Sequence, residues 1–269
     1  MRESIEVSGR TRTFTVAGTH GKDLVLVFHG SRQTGDTHRD FTGRSFDALG
    51  VVAYLDGYRK QWNDARRQSS FAARTENVDD VGFARAVIER LTATHGIDPG
   101  RVFAAGYSNG GQMVMRLMHE APELLAGAAI IGATMPAPDD FLMPDPAPTP
   151  KPMPVLLIHG TKDPLVPYRG GPMRWWVRTL FKVGGESLSM PGTAEYFARR
   201  NGITTDPVTT RAAPAVERTA YDQDGRPPVV LYTVHGGGHT IPGPRRNPAM
   251  LGRTNQDISA ADLIADLLR

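Results

Sequence analysis

Six short apolar runs, each closed by turn-forming residues, recur along the chain at 24–28, 51–54, 102–105, 128–131, 155–158 and 229–234. Runs of this length bounded by breakers predict strands buried on both faces. Helical spacing fills the gaps. Over 79–95, Val81, Ala84, Val87, Ile88 and Leu91 form one stripe, and over 110–119 Met113, Val114, Leu117 and Met118 form another. The segment 257–268 is amphipathic through Ile258, Leu263, Ile264 and Leu267, with Ser259 as a cap. Strands alternating with helices predict an α/β fold, a mostly parallel central sheet covered by helices on both faces. Alternating stretches at 4–7 and 11–16, with a turn at Gly9-Arg10, predict an antiparallel lead-in.

Two stretches break the pattern. Eight prolines between Met135 and Pro154 exclude a helix interior and predict a surface connection. Trp175, Trp176, Val177, Leu180 and Phe181 lie between Gly170-Gly171-Pro172 and Pro191-Gly192. They predict a lid-like apolar insertion at about 169–192, hinged by breakers, within one domain spanning 1–269.

Composition narrows the chemistry. The 269 residues contain no cysteine, which excludes a disulfide scaffold, thiol catalysis and Cys-ligated metal, and leaves oxygen nucleophiles. The net charge of +3 arises from scattered basic residues, a solvated surface and not a nucleic-acid footprint. No apolar run is long enough to span a bilayer.

Gly106-Tyr107-Ser108-Asn109-Gly110-Gly111 follows one expected strand and opens an expected helix, the setting of a nucleophile elbow. Side chains at Gly106 or Gly110 would collide in so sharp a turn. Ser108 then stands at a helix N-terminus, where free N–H groups favour developing negative charge. A serine hydroxyl needs a base, and the base an orienting carboxylate, both expected downstream in the order Ser, acid, His. Asp163 follows the strand 155–158 and His239 follows the strand 229–234, each in a loop at the strand's C-terminal end, where active groups of open α/β sheets collect. His159 and His235 compete for the base, each in a position that suits packing; Asp206, Asp222 and Asp224 compete for the acid from polar turns. Three glycines between His235 and His239 preclude a helical zinc pair, so no metal and no cofactor is expected.

Oxyanion donors are expected at the backbone N–H groups of Asn109 and of Ser31, in the loop after the strand 24–28, with Gln33 either bracing that loop or lying on the surface. Trp175 and Trp176, with Phe181, are either a platform for a ring, sugar or polyester, or the core of their own insertion. Trp62 lines the same cleft or packs structurally, and Tyr107 and Ile241, beside the serine and histidine, are further candidate substrate contacts. Asp79-Asp80 is expected to cap a helix. No pocket arginine or carboxylate announces a charged substrate, so a neutral one is expected.

His29-Gly30-Ser31, Asp79-Asp80, Gly106 to Gly111, His159-Gly160-Thr161 with Asp163, and Gly236-Gly237-Gly238-His239-Thr240 together resemble the polyhydroxybutyrate depolymerase and feruloyl esterase family. The match runs through nearly the whole chain in order. The resemblance implies an α/β-hydrolase fold akin to the first carbohydrate esterase family, a triad of Ser108, Asp163 and His239, oxyanion donors at Ser31 and Asn109, and a secreted or periplasmic location. Met1-Arg2-Glu3 opens no signal-peptide pattern, so a cytoplasmic location is expected if these residues are the whole natural chain. Ile241 departs from the aromatic residue common after the family's His-Thr pair. The expected activity is hydrolysis of feruloyl or acetyl esters of plant polysaccharide, or of hydroxyalkanoate polyester, through an acyl-enzyme. A non-catalytic carbohydrate or polyester binder and a serine peptidase are the alternatives, and nothing in the sequence sets an oligomeric state.

Overall fold

The computed structural model describes residues 1–18, 21–173 and 175–269; Thr19, His20 and Arg174, the last inside the expected insertion, lie outside the described residues. Its strands are β1 (Arg2–Val7), β2 (Arg10–Gly18), β3 (Leu24–Phe28), β4 (Val51–Leu55), β5 (Val102–Tyr107), β6 (Gly127–Ile131), β7 (Val155–Gly160), β8 (Gly171–Pro172), β9 (Glu186–Ser187), β10 (Val208–Ala213), β11 (Val216–Gln223) and β12 (Arg226–Val234). Its α-helices are α1 (Gly35–Phe41), α2 (Ala72–Thr75), α3 (Asp80–His95), α4 (Asn109–Glu120), α5 (Trp175–Phe181), α6 (Met190–Arg200) and α7 (Ala260–Leu267).

All but β8 and β9 join one sheet in the order β1-β2-β4-β3-β5-β6-β7-β12-β11-β10. The middle of that order, from β4 to β12, is parallel, and hairpins extend it at both ends. Side chains alternate across the sheet with period two. Leu24, Leu26 and Phe28 of β3 face a core that includes Leu91 of α3, Met113 and Leu117 of α4 and Phe197 of α6. Val25 and Val27 face the opposite core with Phe46 and with Ala261 and Ile264 of α7. Each fully buried side chain of this kind contributes about 1.5–3 kcal/mol, which is why apolar runs this short hold their strands in register.

Several local features differ from the sequence reading. The first hairpin turns at Ser8-Gly9, both with positive φ, and not at Gly9-Arg10. Pro191-Gly192 does not end an insertion: it opens α6, because proline fits the first helical turn and the Ser189 hydroxyl accepts the Gly192 N–H as a cap. Strands β10 and β11 carry too few apolar residues to show an alternation, since β10 is exposed along most of its length. Asp79 does cap α3, whereas Asp80 is buried and paired to Arg12 at 2.7 Å.

Among the described residues no helix is long and apolar enough to cross a membrane. The consequence of the strand order is local. Because β3, β5, β6, β7 and β12 are parallel neighbours, the loops leaving their C-terminal ends stand side by side along one edge of the sheet.

Candidate active site

Ser108 sits between β5 and α4 with φ 54° and ψ −116°, a left-handed backbone that costs a non-glycine residue about 1–3 kcal/mol. The turn persists because the flanking glycines allow a close approach. A Cβ at Gly106 would overlap the Gly110 carbonyl, and one at Gly110 would overlap the carbonyl oxygen of Phe28 at the end of β3. The elbow and the loop after β3 are therefore in backbone contact.

His239 reaches Ser108 from the loop after β12, with Nε2 2.8 Å from the serine Oγ. Its Nδ1 lies 2.6 Å from Asp163 Oδ2, from the loop after β7. The carboxylate only accepts, so Nδ1 carries the proton and Nε2 is left to accept from the serine hydroxyl. Asp163 is almost fully buried; its Oδ1 accepts the N–H groups of Leu165 and Val166 at 2.7 and 2.8 Å. Burial pushes this carboxyl up, but His239, His159 and the Val166 N–H outweigh it and hold Asp163 below its ordinary range. Tyr107 lies beneath the imidazole, its ring centroid 5.0 Å away and its hydroxyl donating to the His239 carbonyl at 2.6 Å.

The competing residues are placed elsewhere. His159 is fully buried and donates from Nε2 to the Val166 carbonyl at 3.0 Å, with burial lowering its pKa. His235 pairs with Glu217 at 2.9 Å on the surface. Asp222 lies within β11, and Asp206 and Asp224 are exposed near it.

Ser31 and Asn109 face the same space as Ser108, and among the described residues neither backbone N–H donates to a protein acceptor. The loop holding Ser31 is braced from several sides. Gln33 Oε1 accepts the Gly30 N–H at 3.0 Å, His29 Nε2 accepts the Gly57 N–H at 2.9 Å, and the Trp62 indole donates to the His29 carbonyl at 2.9 Å. The Asn109 side chain is held as firmly: its Oδ1 accepts the Trp62 N–H at 3.0 Å and its Nδ2 donates to buried Asp64.

These groups open into a hollow of about 740 Å³, its mouth included. Phe71, Leu165, Val166, Val177, Phe181 and Val183 supply most of its apolar wall. Several expected substrate contacts are absent from it. Trp62 is fully buried against Phe28 and His29, Gln33 serves the loop, and Tyr107 and Ile241 are buried away from the hollow. From the segment of the expected insertion, α5 contributes Val177 and Phe181 to the lining, while Trp175 is 78% exposed and Trp176 half-buried outside the wall. The Arg32 guanidinium stacks on Phe181 at 5.0 Å and donates to the Leu180 carbonyl at 3.1 Å, tying α5 to the loop of Ser31. Arg66 also lines the hollow, correcting the expectation that no arginine would. Asp64 and Arg66 escaped the sequence reading, whereas Phe181 is among its candidates and Val177 is placed in the insertion without a role. The available signal was Asp64 two positions before Arg66 in Gln61-Trp62-Asn63-Asp64-Ala65-Arg66.

A parallel sheet with this elbow, carrying Ser, Asp and His on successive loops in that chain order, defines an α/β-hydrolase. Comparison with known proteins narrows the class. Residues 57–178 match the phospholipase/carboxylesterase family. The chain is 34% identical over 288 residues to the provisionally named esterase NocK of Nocardia uniformis subsp. tsuyamanensis, covering 98% of this chain and 81% of that protein. It is 28% identical to feruloyl esterase B of Piromyces equi, over 82% of this chain but only 40% of that protein. Among solved structures, an acetyl xylan esterase from Aspergillus awamori superposes with a TM-score of 0.57 at 15% identity, covering 90% of this chain and 95% of its own. The poly(3-hydroxybutyrate) depolymerase LpqC from Bordetella parapertussis superposes with a TM-score of 0.55 at 19% identity, covering 89% and 85%. The protein belongs to the phospholipase/carboxylesterase family of α/β-hydrolases and is an esterase-type hydrolase.

Proposed function

We propose that the protein cleaves carboxylic esters through an acyl-enzyme on Ser108. The observation that carries this reading is the hydrogen-bonded chain from Ser108 Oγ through His239 to Asp163, at 2.8 and 2.6 Å. His239 Nε2 takes the serine proton as Oγ attacks the ester carbonyl, and the imidazolium is stabilised by the ionised Asp163. The negative oxygen of the tetrahedral intermediate is received by the N–H groups of Ser31 and Asn109, which are already oriented before the charge develops. Collapse breaks the bond to the alcohol oxygen, which leaves with the proton from Nε2. Water then repeats the sequence on the acyl-enzyme: His239 takes its proton, and the acid and free serine are regenerated.

Substrates in this reading are feruloyl or acetyl esters of plant polysaccharide, or hydroxyalkanoate polyesters. The largely apolar wall supports an acyl group held beneath the cover formed by α5. The test is hydrolysis of p-nitrophenyl acetate by Ser108→Ala. Turnover falls to the background of the buffer if Ser108 is the nucleophile, and turnover near the native rate refutes the assignment. A panel of methyl ferulate, acetylated xylan and polyhydroxybutyrate then ranks the substrates.

A further inference from the structure

We propose that Arg66 is a specificity-determining residue, whose free guanidinium nitrogen recognises a neutral acceptor oxygen on the substrate, so that the enzyme selects oxygen-bearing esters over plain alkyl ones. The inference rests on the esterase reading above and names the substrate class of the same site.

Arg66 is held by its own neighbour. Its Nε donates to Asp64 Oδ1 at 3.1 Å and its Nη2 to Asp64 Oδ2, a fork that fixes the guanidinium plane, and the ring of Phe71 lies 5.6 Å from Cζ. Only 12% of the side chain is exposed, and the residue lines the hollow that holds Ser108. Among the described residues Nη1 has no protein partner, and it is not one of the fully enclosed unpaired atoms, so its N–H groups face accessible space. A ligand that fills the hollow displaces water from this nitrogen and must return an acceptor, because an unpaired buried donor is costly.

Charge decides which acceptor. Asp64 is fully buried and neutralises Arg66, while Asp140 and Glu186 also line the hollow. The Asp140 oxygens are taken by Gln68 Nε2 at 2.8 Å and by the Glu186 N–H at 2.7 Å. Among the described residues that line the hollow, a carboxylate-bearing substrate therefore meets one cation, already paired to Asp64, and two further anions. A hydroxyl, alkoxy or second carbonyl oxygen satisfies Nη1 without that repulsion. A simple acetyl or alkyl group leaves it unpaired.

The experiment compares matched neutral esters on one preparation of the full chain. In the acyl part, methyl ferulate is set against methyl cinnamate; in the alcohol part, 2-methoxyethyl acetate is set against butyl acetate. Each kcat/KM is divided by the rate constant for hydroxide hydrolysis of the same ester, which removes intrinsic reactivity. A hydrogen bond to a charged group predicts that the oxygenated member of at least one pair is favoured about tenfold or more. In Arg66→Met that ratio falls to about one. The ratio does not depend on the active fraction, so partial misfolding of the variant does not obscure it. Arg66→Lys keeps a cation against Asp64 and, lacking the fork, loses the ratio as well. Ratios near one for both pairs in the native protein, or a preference that survives in Arg66→Met, overturn the proposal while leaving the esterase reading intact. Failure to hydrolyse any of the four esters overturns both.

Discussion

Replacing Asp163 by Asn tests the base assignment with almost no change in shape. In the native site Oδ1 takes two backbone N–H groups, from Leu165 and Val166, and Oδ2 takes His239 Nδ1–H. An amide can keep only one of these faces. Its oxygen stays with the two backbone donors, since the reverse rotamer sets an NH2 against both of them and leaves two buried donors unpaired. The NH2 therefore turns to His239 and donates to Nδ1, which moves the imidazole proton to Nε2. That nitrogen then donates to Ser108 Oγ and cannot accept its proton. The NH2 also faces His159 Nε2–H, which lies 3.4 Å from the native Oδ2, so a second donor opposes it. Loss of the correct tautomer in a triad of this kind lowers kcat by about 10⁴, or ~5 kcal/mol in the barrier. The assay is p-nitrophenyl acetate hydrolysis with enzyme concentration fixed by active-site titration of the native protein and by absorbance of the variant. Thermal unfolding of the same samples checks the fold. A variant that stays folded and keeps kcat within tenfold of the native value refutes the tautomer argument and, with it, the role of Asp163.

Three further outcomes follow from the packing and the buried histidines. Gly110→Ala drives a methyl group into the carbonyl oxygens of Phe28 and His29, backbone that cannot yield as a flexible side chain would; the expected loss is at least ~3 kcal/mol in urea unfolding, against little change for Gly100→Ala, whose methyl group meets only the exposed Asp98 carboxyl. Burial lowers the pKa of His29 to about 4, of His38 to about 3 and of His119 to about 4, so between pH 6.5 and about 4 the unfolded chain binds protons that the folded protein does not. Stability is fully present above pH 6.5 and falls with acidity at up to ~1.4 kcal/mol per pH unit for each histidine, and a urea midpoint that is equal at pH 7 and pH 5 contradicts this. Trp62→Phe removes the indole donor to the His29 carbonyl and costs ~1–2 kcal/mol of stability; a change in KM without a change in unfolding midpoint would instead place Trp62 in the substrate's path.

Legibility followed the range of the interaction. The buried parallel strands were readable because a strand covered on both faces must be apolar almost throughout, and runs as short and apolar as Leu24–Phe28 or Val155–Gly160 suit little else. The elbow was readable because its signature is short and contiguous, glycines two positions either side of Ser108, even though the backbone that Gly110 answers to belongs to Phe28 and His29, far away in the chain. Asp163 and His239 were readable at one remove, through the rule that loops at the C-terminal edge of parallel strands gather. The antiparallel extension was not. Strands β10 and β11 are held by their hairpin ladders; β10 has its side chains largely in solvent and β11 buries only Val216 and Ala220, so selection for buried apolar residues leaves little pattern there. Helix α6 was misread for a different reason, since Pro191-Gly192 breaks a helix from within but starts one when a serine precedes it.

The arginine in the hollow escaped for a reason that bears on how such sites are read. Charge at a site is usually sought as an excess, and here the excess is zero: Asp64 cancels Arg66 two residues away, so the pair looks like any surface couple in a sequence rich in arginine. Only the fold shows that Asp64 is fully buried and divided between Arg66 and the side chain of Asn109. That division gives one carboxylate two tasks. In the proposed mechanism it presents a donor to the ligand through Arg66, and it holds the side chain of Asn109, whose backbone N–H is the proposed oxyanion donor. Binding and chemistry then share a support, and Asp64→Asn is expected to lower kcat as well as the preference for oxygenated esters. Loss of the preference with kcat unchanged would show that the Trp62 N–H is enough to hold Asn109 in place.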